Sequence, residues 1–123
     1  MPGRVVQRSS ALLVLESPWM SLTRAALFYQ GKVQELGVLQ NGDVSTASGI
    51  NDASAVVGAS GPYSEANRAF VWTASKGMRD LNTLIRSNSG WVLMNATAIN
   101  SKGQIIGDGR FNGNPRGFLL TPR

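Results

Sequence analysis

The sequence predicts an all-β domain built from antiparallel four-stranded repeat units that resemble β-propeller blades. Fourteen Gly and nine Asn, with only 15% charged residues, favour many turns and short strands over long helices. The apolar runs have the length of strands and are rich in β-branched and aromatic side chains. Two segments, residues 47–58 and 96–107, are near copies of each other. Together these observations indicate a β-repeat protein.

The repeat extends beyond these two segments. Asn51 and Gly58 recur 49 residues later as Asn100 and Gly107, and the run 68–72 recurs 48 residues later at 116–120. Looser copies lie upstream, at 26–29 and 31–36. The chain is therefore predicted to hold about two and a half units in a single domain over 1–123. The predicted boundaries are a partial unit over 3–53, a central unit over 54–103 and a partial unit over 104–123.

The central unit contains four apolar runs of strand length separated by Gly, Asn, Asp or Ser. These runs cover residues 55–60, 68–73, 77–81 and 96–100. Four antiparallel strands is the number found in one propeller blade, which is the basis of the blade-like prediction.

Turn residues predict a hairpin between strands 96–100 and 104–108. Asn100 can accept a hydrogen bond from a following backbone amide, and Gly103 can adopt a left-handed conformation without steric cost. The upstream copy has Ser54 in place of Gly103, and a left-handed serine costs about 1 kcal/mol. The sequence therefore predicts a looser turn at Ser54.

One stretch departs from the strand pattern. Leu81, Leu84 and Ile85 have helical spacing and follow Asp80, an acceptable N-cap. The spacing predicts a short helix over 81–86.

Composition excludes several kinds of site. The chain has no Cys, so disulfides, thiol nucleophiles and thiolate zinc sites are excluded. It also has no His, which excludes His-dependent triads and imidazole metal sites. No apolar run approaches the roughly 20 residues that cross a bilayer, so no membrane partner is expected. The sequence predicts no cofactor and no metal.

The formal charge of +5 comes from nine Arg and three Lys against seven acids. The arginines are spread along the chain without a basic run, so the charge mainly favours solubility and the steering of anionic ligands. A nucleic-acid or polyanion binding protein remains an alternative interpretation, with a steep dependence of affinity on salt as its signature.

Three acids are candidates for the catalytic groups of a polysaccharide hydrolase. Asp52 lies in a predicted turn and Asp80 at a predicted helix cap, so both have structural explanations. Asp108 follows a strand, but no second acid forms a recognisable pair with it. No catalytic residue is predicted, and the hydrolase stays a second alternative.

Aromatic and arginine side chains are the better candidates for ligand recognition, because aromatic rings stack on sugars or bases and guanidinium groups bind anions. The candidate ligand-binding residues are Tyr63, Arg68, Trp91, Arg110 and Phe111. They predict an anionic or carbohydrate ligand.

The motifs at 68–72, 77–81, 96–107 and 116–122 together resemble the bacterial HAF repeat, often described as an extracellular repeat. The resemblance covers roughly residues 24–123. It implies tandem β-repeats in proteins that are usually exported, with no established catalytic activity, cofactor or site. The longest apolar run, 11–15, is shorter than the roughly seven residues of a signal-peptide core, so a cytoplasmic location stays open as well.

The number of units predicts self-association. A closed propeller needs at least four blades, and unclosed repeats leave apolar faces and strand edges exposed. We therefore expect a homodimer or a higher closed oligomer with the incomplete units, residues 3–30 and 104–123, near the contact. The function most consistent with the sequence is a noncatalytic binding or scaffold module that acts as a homo-oligomer.

Overall fold

A computed structural model describes residues 9–16, 21–29, 31–39, 44–61 and 67–123. These residues form ten strands and one 3-10 turn, Leu81–Thr83. The strands are β1 Ser9–Glu16, β2 Ser21–Tyr29, β3 Lys32–Gly37, β4 Val44–Ile50, β5 Val56–Gly61, β6 Arg68–Thr73, β7 Gly77–Asp80, β8 Trp91–Ile99, β9 Ile105–Phe111 and β10 Asn114–Leu120. The prediction of an all-β chain is confirmed.

The strands form three antiparallel sheets in which neighbours along the chain are also neighbours in space. The first sheet contains β1, β2 and β3, the second β4 to β7, and the third β8, β9 and β10. None of the three sheets closes on itself. The predicted count of four strands holds for the second sheet, while the first and third sheets have three strands each within the described residues.

Sheet membership differs from the predicted units by one strand. The run 96–100 falls in β8, which pairs with β9 in the third sheet rather than with β7 in the second. The fourth strand of the second sheet is β4, which precedes β5 in a hairpin. The second and third sheets therefore each begin with the strand that enters the repeated segment, and the predicted unit 54–103 straddles these two sheets.

The second sheet lies between the other two and is buried on both faces. Along β5, Val56 belongs to the core shared with the first sheet, and Val57 belongs to the core shared with the third. The same alternation holds along β6, where Phe70 faces the first sheet and Val71 faces the third. Because adjacent strand residues point to opposite faces, a strand covered on both sides appears as a continuous apolar run.

Two apolar cores result from this stacking. The core between the first and second sheets contains Ala25, Leu27, Leu36, Val56, Phe70 and Trp72. The core between the second and third sheets contains Val57, Ala69, Val71, Leu81, Leu93, Ala96, Ile105 and Phe118. Burial of these side chains is the main favourable contribution to folding that the described residues make.

The two repeated turns have the same geometry, so the prediction of a looser turn at Ser54 is wrong. Ser54 adopts φ +62° and Gly103 φ +82°. The amide of Ser54 donates to the Asn51 carbonyl at 3.0 Å, and Gly103 donates to Asn100 at the same distance. Asn51 Oδ1 also accepts hydrogen bonds from two amides of its turn, those of Ala53 and Ala55. These bonds hold the left-handed serine in place despite its steric cost.

The two turns are joined to each other. Asn51 is buried, and its Nδ2 donates a 3.0 Å hydrogen bond to the backbone carbonyl of Asn100. Asn100 is exposed, and its own Nδ2 donates to Gln104 Oε1 at 2.8 Å. A side chain in the second sheet's hairpin thus fixes the position of the third sheet's hairpin.

The predicted helix over 81–86 is replaced by a single 3-10 turn. Asp80 caps this turn as predicted, accepting a 2.9 Å hydrogen bond from the Asn82 amide. The Asn82 side chain then accepts from Leu93 N at 2.7 Å and donates to Leu93 O at 2.9 Å. These two bonds tie the segment to β8, so the chain turns towards the third sheet instead of continuing as a helix.

Buried serines connect the first and second sheets. Ser45 Oγ on β4 accepts from Ala25 N at 2.8 Å and donates to Gly37 O at 2.6 Å. Both partners lie in the first sheet beside a β-bulge, where the β2–β3 register shifts. The hydroxyl therefore provides hydrogen bonds that the irregular ladder does not supply.

No helix among the described residues is long and apolar enough to cross a membrane.

Candidate functional site

Two of the predicted ligand-binding residues, Trp91 and Phe111, lie side by side on the third sheet. They are directly opposite each other in the β8–β9 register, with ring centroids 5.3 Å apart at an interplanar angle of 42°. Trp91 also meets Phe118 edge-on at 6.3 Å and packs against the core between the second and third sheets. The pair therefore closes the edge of that core, with Phe111 as its more exposed member.

The predicted arginines lie elsewhere. Arg110 is exposed and immediately precedes Phe111 in β9, so its side chain is on the opposite face of the third sheet. Arg68, on β6, forms a 2.6 Å ion pair from Nε to Asp80 Oδ2. Tyr63 lies outside the described residues. The structure thus brings Trp91 and Phe111 together but not the five residues as one site.

Two of the three candidate acids, Asp80 and Asp108, have hydrogen-bond partners of a structural kind. Asp80 caps the 3-10 turn and pairs with Arg68, while Asp108 accepts a 3.1 Å hydrogen bond from Asn95 Nδ2 across the third sheet. Within the described ranges, no group of three or more Asp or Glu side chains could hold a metal ion. These geometries assign structural contacts to Asp80 and Asp108.

The outer face of the third sheet is the face directed away from the second sheet. Comparison of equivalent repeat positions shows that apolar side chains on this face are exposed where their counterparts are buried. Ile106 and Leu119 lie on it as a direct cross-strand pair, 49% and 62% exposed. The equivalent positions in the second sheet, 49 and 48 residues earlier, are Val57 and Val71. These are also a direct cross-strand pair, but they are 0% and 6% exposed.

The difference in burial has a plain cause. Val57 and Val71 are covered by the third sheet, through side chains of β8 such as Leu93 and Ala96 that share their core. Among the described residues, nothing covers Ile106 and Leu119 in the same way. Val92 on β8 is also exposed on this face, but it lies opposite Arg110, and the exposed Asp108 and Arg110 separate it from Ile106 along β9. The Ile106–Leu119 pair therefore has the side chains of a stacking surface without a stacked partner among the described residues.

The first sheet has an apolar outer face as well. Phe28 and Val33 are a direct cross-strand pair of β2 and β3, 44% and 56% exposed. Their neighbours Leu27 and Leu36 are buried against the second sheet. The equivalent face of the second sheet is the one directed towards the first sheet. It carries Phe70, which the first sheet buries completely. Each end of the three-sheet stack thus presents an exposed apolar pair.

The sequence alone does not single out these two faces. Their signal was present, because Ile106 and Leu119 align with Val57 and Val71 in the repeat. The strands alone did not show which side of each sheet would be covered, and that information comes from the stacking order.

Comparison with known proteins found no matching family model, no similar curated protein and no similar solved structure. The resemblance to the HAF repeat therefore rests on the sequence motifs and stays a prediction.

Proposed function

We propose that the chain is a noncatalytic binding or scaffold module that works as a homo-oligomer, in which the third sheet of one copy packs on the first sheet of the next. The observation that carries this proposal is the exposure of Ile106 and Leu119 at positions where the repeat buries Val57 and Val71. A second copy would continue a stacking interface that the chain already uses twice, between its own sheets.

Burial of apolar surface is the driving force for this arrangement. Full burial of an apolar side chain of this size contributes about 1.5–3 kcal/mol. One contact between the two outer faces covers four such side chains, Phe28 and Val33 from one copy with Ile106 and Leu119 from the other, and because each is already about half buried in a single copy, each gains about half of this value. Association costs about 4–15 kcal/mol, and a second contact that closes a ring adds the same burial without incurring this cost again.

The contact joins two different surfaces, so it is heterologous and forms a ring when the rotation closes. Each copy supplies three sheets, and two copies supply six. This number falls within the roughly four to eight blades of β-propellers, which agrees with the fold implied by the HAF resemblance. A closed ring also leaves no apolar end face in water.

Two single substitutions test the proposal when they are used together. Leu119→Arg places a charge on the outer face of the third sheet, and Val33→Arg does the same on the first sheet. At micromolar concentration each variant alone should be a monomer, or should dimerise far more weakly than the wild type, as measured by light scattering. When they are mixed, the intact face of each variant can meet the intact face of the other, so the mixture should form a heterodimer.

The matched control is Ser75→Arg, which adds the same side chain to an exposed position in the β6–β7 turn, away from both faces. It should leave the oligomer unchanged. A monomeric wild-type protein at micromolar concentration would overturn the proposal. If Leu119→Arg dissociated the oligomer and Val33→Arg did not, the contact would instead be a two-fold one that joins the third sheet of one copy to the third sheet of the other.

The two alternative functions gain no comparable support from the described residues. Arg110 and Arg116 are exposed on opposite faces of the third sheet, and Arg68 is paired with Asp80, so these arginines do not form one basic surface. The acids with described contacts lie in separate sheets.

A further inference from the structure

A cleft of about 780 Å³ opens between the second and third sheets, beside their shared core. Its apolar wall includes Val71 and Leu81 from the second sheet's side and Ile105 and Leu120 from the third. The volume lies within the roughly 300–1,000 Å³ of small-molecule sites. The cleft belongs to one chain and is separate from the two outer faces on which the proposed function rests.

The charged residues of the cleft all have the same sign. Arg79, Arg86 and Arg123 line it, and no Asp or Glu does. Across the described ranges, neither Arg79 nor Arg86 has a carboxylate within ion-pair distance. This differs from Arg68, whose guanidinium is paired with Asp80. The cleft therefore combines an apolar wall with positive charge that the described residues leave uncompensated.

Two buried polar atoms beside the cleft have no hydrogen-bond partner in the described part of the chain. They are Thr73 Oγ1 and Arg79 Nε. Arg79 is directly opposite Val71 in the β6–β7 register, and Thr73 is two residues after Val71, so all three side chains are on the sheet face that borders the cleft. Buried donors normally have an acceptor, so Thr73 and Arg79 each retain the capacity to donate one more hydrogen bond at the wall of the cleft.

We propose that this cleft binds a small amphiphile with an apolar body and a single anionic head group, a carboxylate or a phosphate. The apolar body lies against Val71, Leu81, Ile105 and Leu120. The head group accepts hydrogen bonds from the Arg79 guanidinium, including Nε, in the side-on geometry that planar anions make with arginine. Thr73 Oγ1 donates to a second oxygen of the head group, and Arg86 at the rim adds attraction without a fixed contact.

The experiment uses the full-length chain and three probes with the same ten-carbon tail: decanoate, decyl phosphate and decanol, all below their micelle concentrations. Binding is measured by calorimetry, and the Arg79 Nε–H signal is followed by nitrogen-15 NMR. The anionic probes should bind and shift the Arg79 Nε–H signal, and decanol should bind at least about tenfold more weakly. Comparison of decanoate with decyl phosphate identifies the preferred head group.

Variants separate charge recognition from apolar binding. Arg79→Met should weaken binding of the preferred anion about tenfold or more and leave decanol unchanged. Thr73→Val keeps the shape of the side chain and should also weaken the anion, with no loss of stability because the hydroxyl has no partner. Arg116→Met, exposed and outside the cleft, is the matched control and should have no effect.

If Arg79→Met fails to fold, Thr73→Val and the exposed Arg86→Met give the same test. Equal affinity for decanol and both anions would overturn the proposal, as would binding that shifts the signals of the outer faces and leaves the Arg79 Nε–H signal in place. Absence of binding by both anionic probes at millimolar concentration would also overturn it. None of these results depends on the oligomer, which the Leu119→Arg variant tests separately.

Discussion

Gly58 and Gly107 occupy equivalent positions where a side chain cannot fit. A Cβ added at Gly58 would overlap the Thr46 carbonyl oxygen, and one added at Gly107 would overlap the Asn95 carbonyl oxygen. In both sheets the opposing strand has a register shift beside this point. The shifted strand brings its carbonyl against the glycine, which explains why the repeat has glycine at both positions.

Gly107→Ala should therefore destabilise the protein by about 1–3 kcal/mol, because backbone atoms must move to admit the methyl group. The matched control is Gly117→Ala on the neighbouring strand, where a Cβ would meet only one atom, at 3.6 Å, and φ is not positive. Urea unfolding measures both variants. Equal stability of Gly107→Ala and Gly117→Ala would show that the glycine is not required for this packing.

At the scale of single residues, the sequence predicted what depends on local conformation. The left-handed Gly103 and the turn-forming Asn100 are confirmed by φ +82° and by the hydrogen bonds of that turn. The prediction for Ser54 was wrong because it counted the steric cost and not the Asn51 hydrogen bonds that oppose it. The role of Gly107 depends on a bulge in another strand, so the local sequence did not show it.

Among the elements, β4 is the strand that fastens the first sheet to the second. Ser45 is fully buried and makes two hydrogen bonds to the main chain of the first sheet. Ser60 on β5 does similar work, accepting from Leu39 N at 2.9 Å and donating to Val44 O at 2.8 Å. Through Ala25, Gly37 and Leu39, these hydroxyls bind main-chain groups in segments that are not paired with β4 or β5.

Ser45→Ala should cost about 1–3 kcal/mol, because it leaves the Ala25 amide and the Gly37 carbonyl buried without a partner. Ser48→Ala, at an exposed position of the same strand, should change stability by less than about 0.5 kcal/mol. Thermal unfolding followed by circular dichroism compares them. A neutral Ser45→Ala would mean that water replaces the hydroxyl at this site.

The elements were predicted correctly where the local strand pattern determines the structure. They were predicted only in part where a contact with a distant residue determines it. β6 has the predicted bounds, 68–73, since a β-branched and aromatic run between turn residues has no competing interpretation. The short helix predicted near 81–86 is limited to the 3-10 turn Leu81–Thr83, because Asn82 hydrogen bonds to Leu93, eleven residues away, and helical spacing cannot report such a contact.

On the scale of the whole molecule, the second sheet is the part most shielded from water among the residues whose burial is described. β5 is buried at every residue, and β6 at four of its six. β10 has only Phe118 buried among its seven residues. Since local opening requires less free energy where fewer apolar contacts are lost, stability should decrease from the second sheet towards the third sheet's outer edge.

Hydrogen exchange should show this order. Amides of β5 and β6 should exchange most slowly among the described strands, and those of β10 should exchange faster. Hydrogen exchange should be measured on the Leu119→Arg variant, so that self-association does not protect the amides of the third sheet. Slower exchange in β10 than in β5 would contradict the described distribution of burial.

The architecture of the whole molecule was only partly predictable. The repeat predicted several similar β-units, and the described residues form three meandering sheets. The proposed stacking faces and the cleft between the second and third sheets depend on which sheet covers which face. Residues such as Arg79 and Leu120 are far apart in sequence and meet only because the sheets stack in chain order.

The hydrogen bond from Asn51 Nδ2 to the Asn100 carbonyl sets the position of one repeat unit relative to the next. The donor and the acceptor are the same residue of successive units, 49 positions apart. A gene duplication that copies a whole unit therefore also copies the donor and the acceptor of this hydrogen bond. The position of the added sheet is then defined by an interaction that the protein already has. At Asn100 the donor is held by Gln104 of its own turn. An array of such units can lengthen one unit at a time without a new kind of junction.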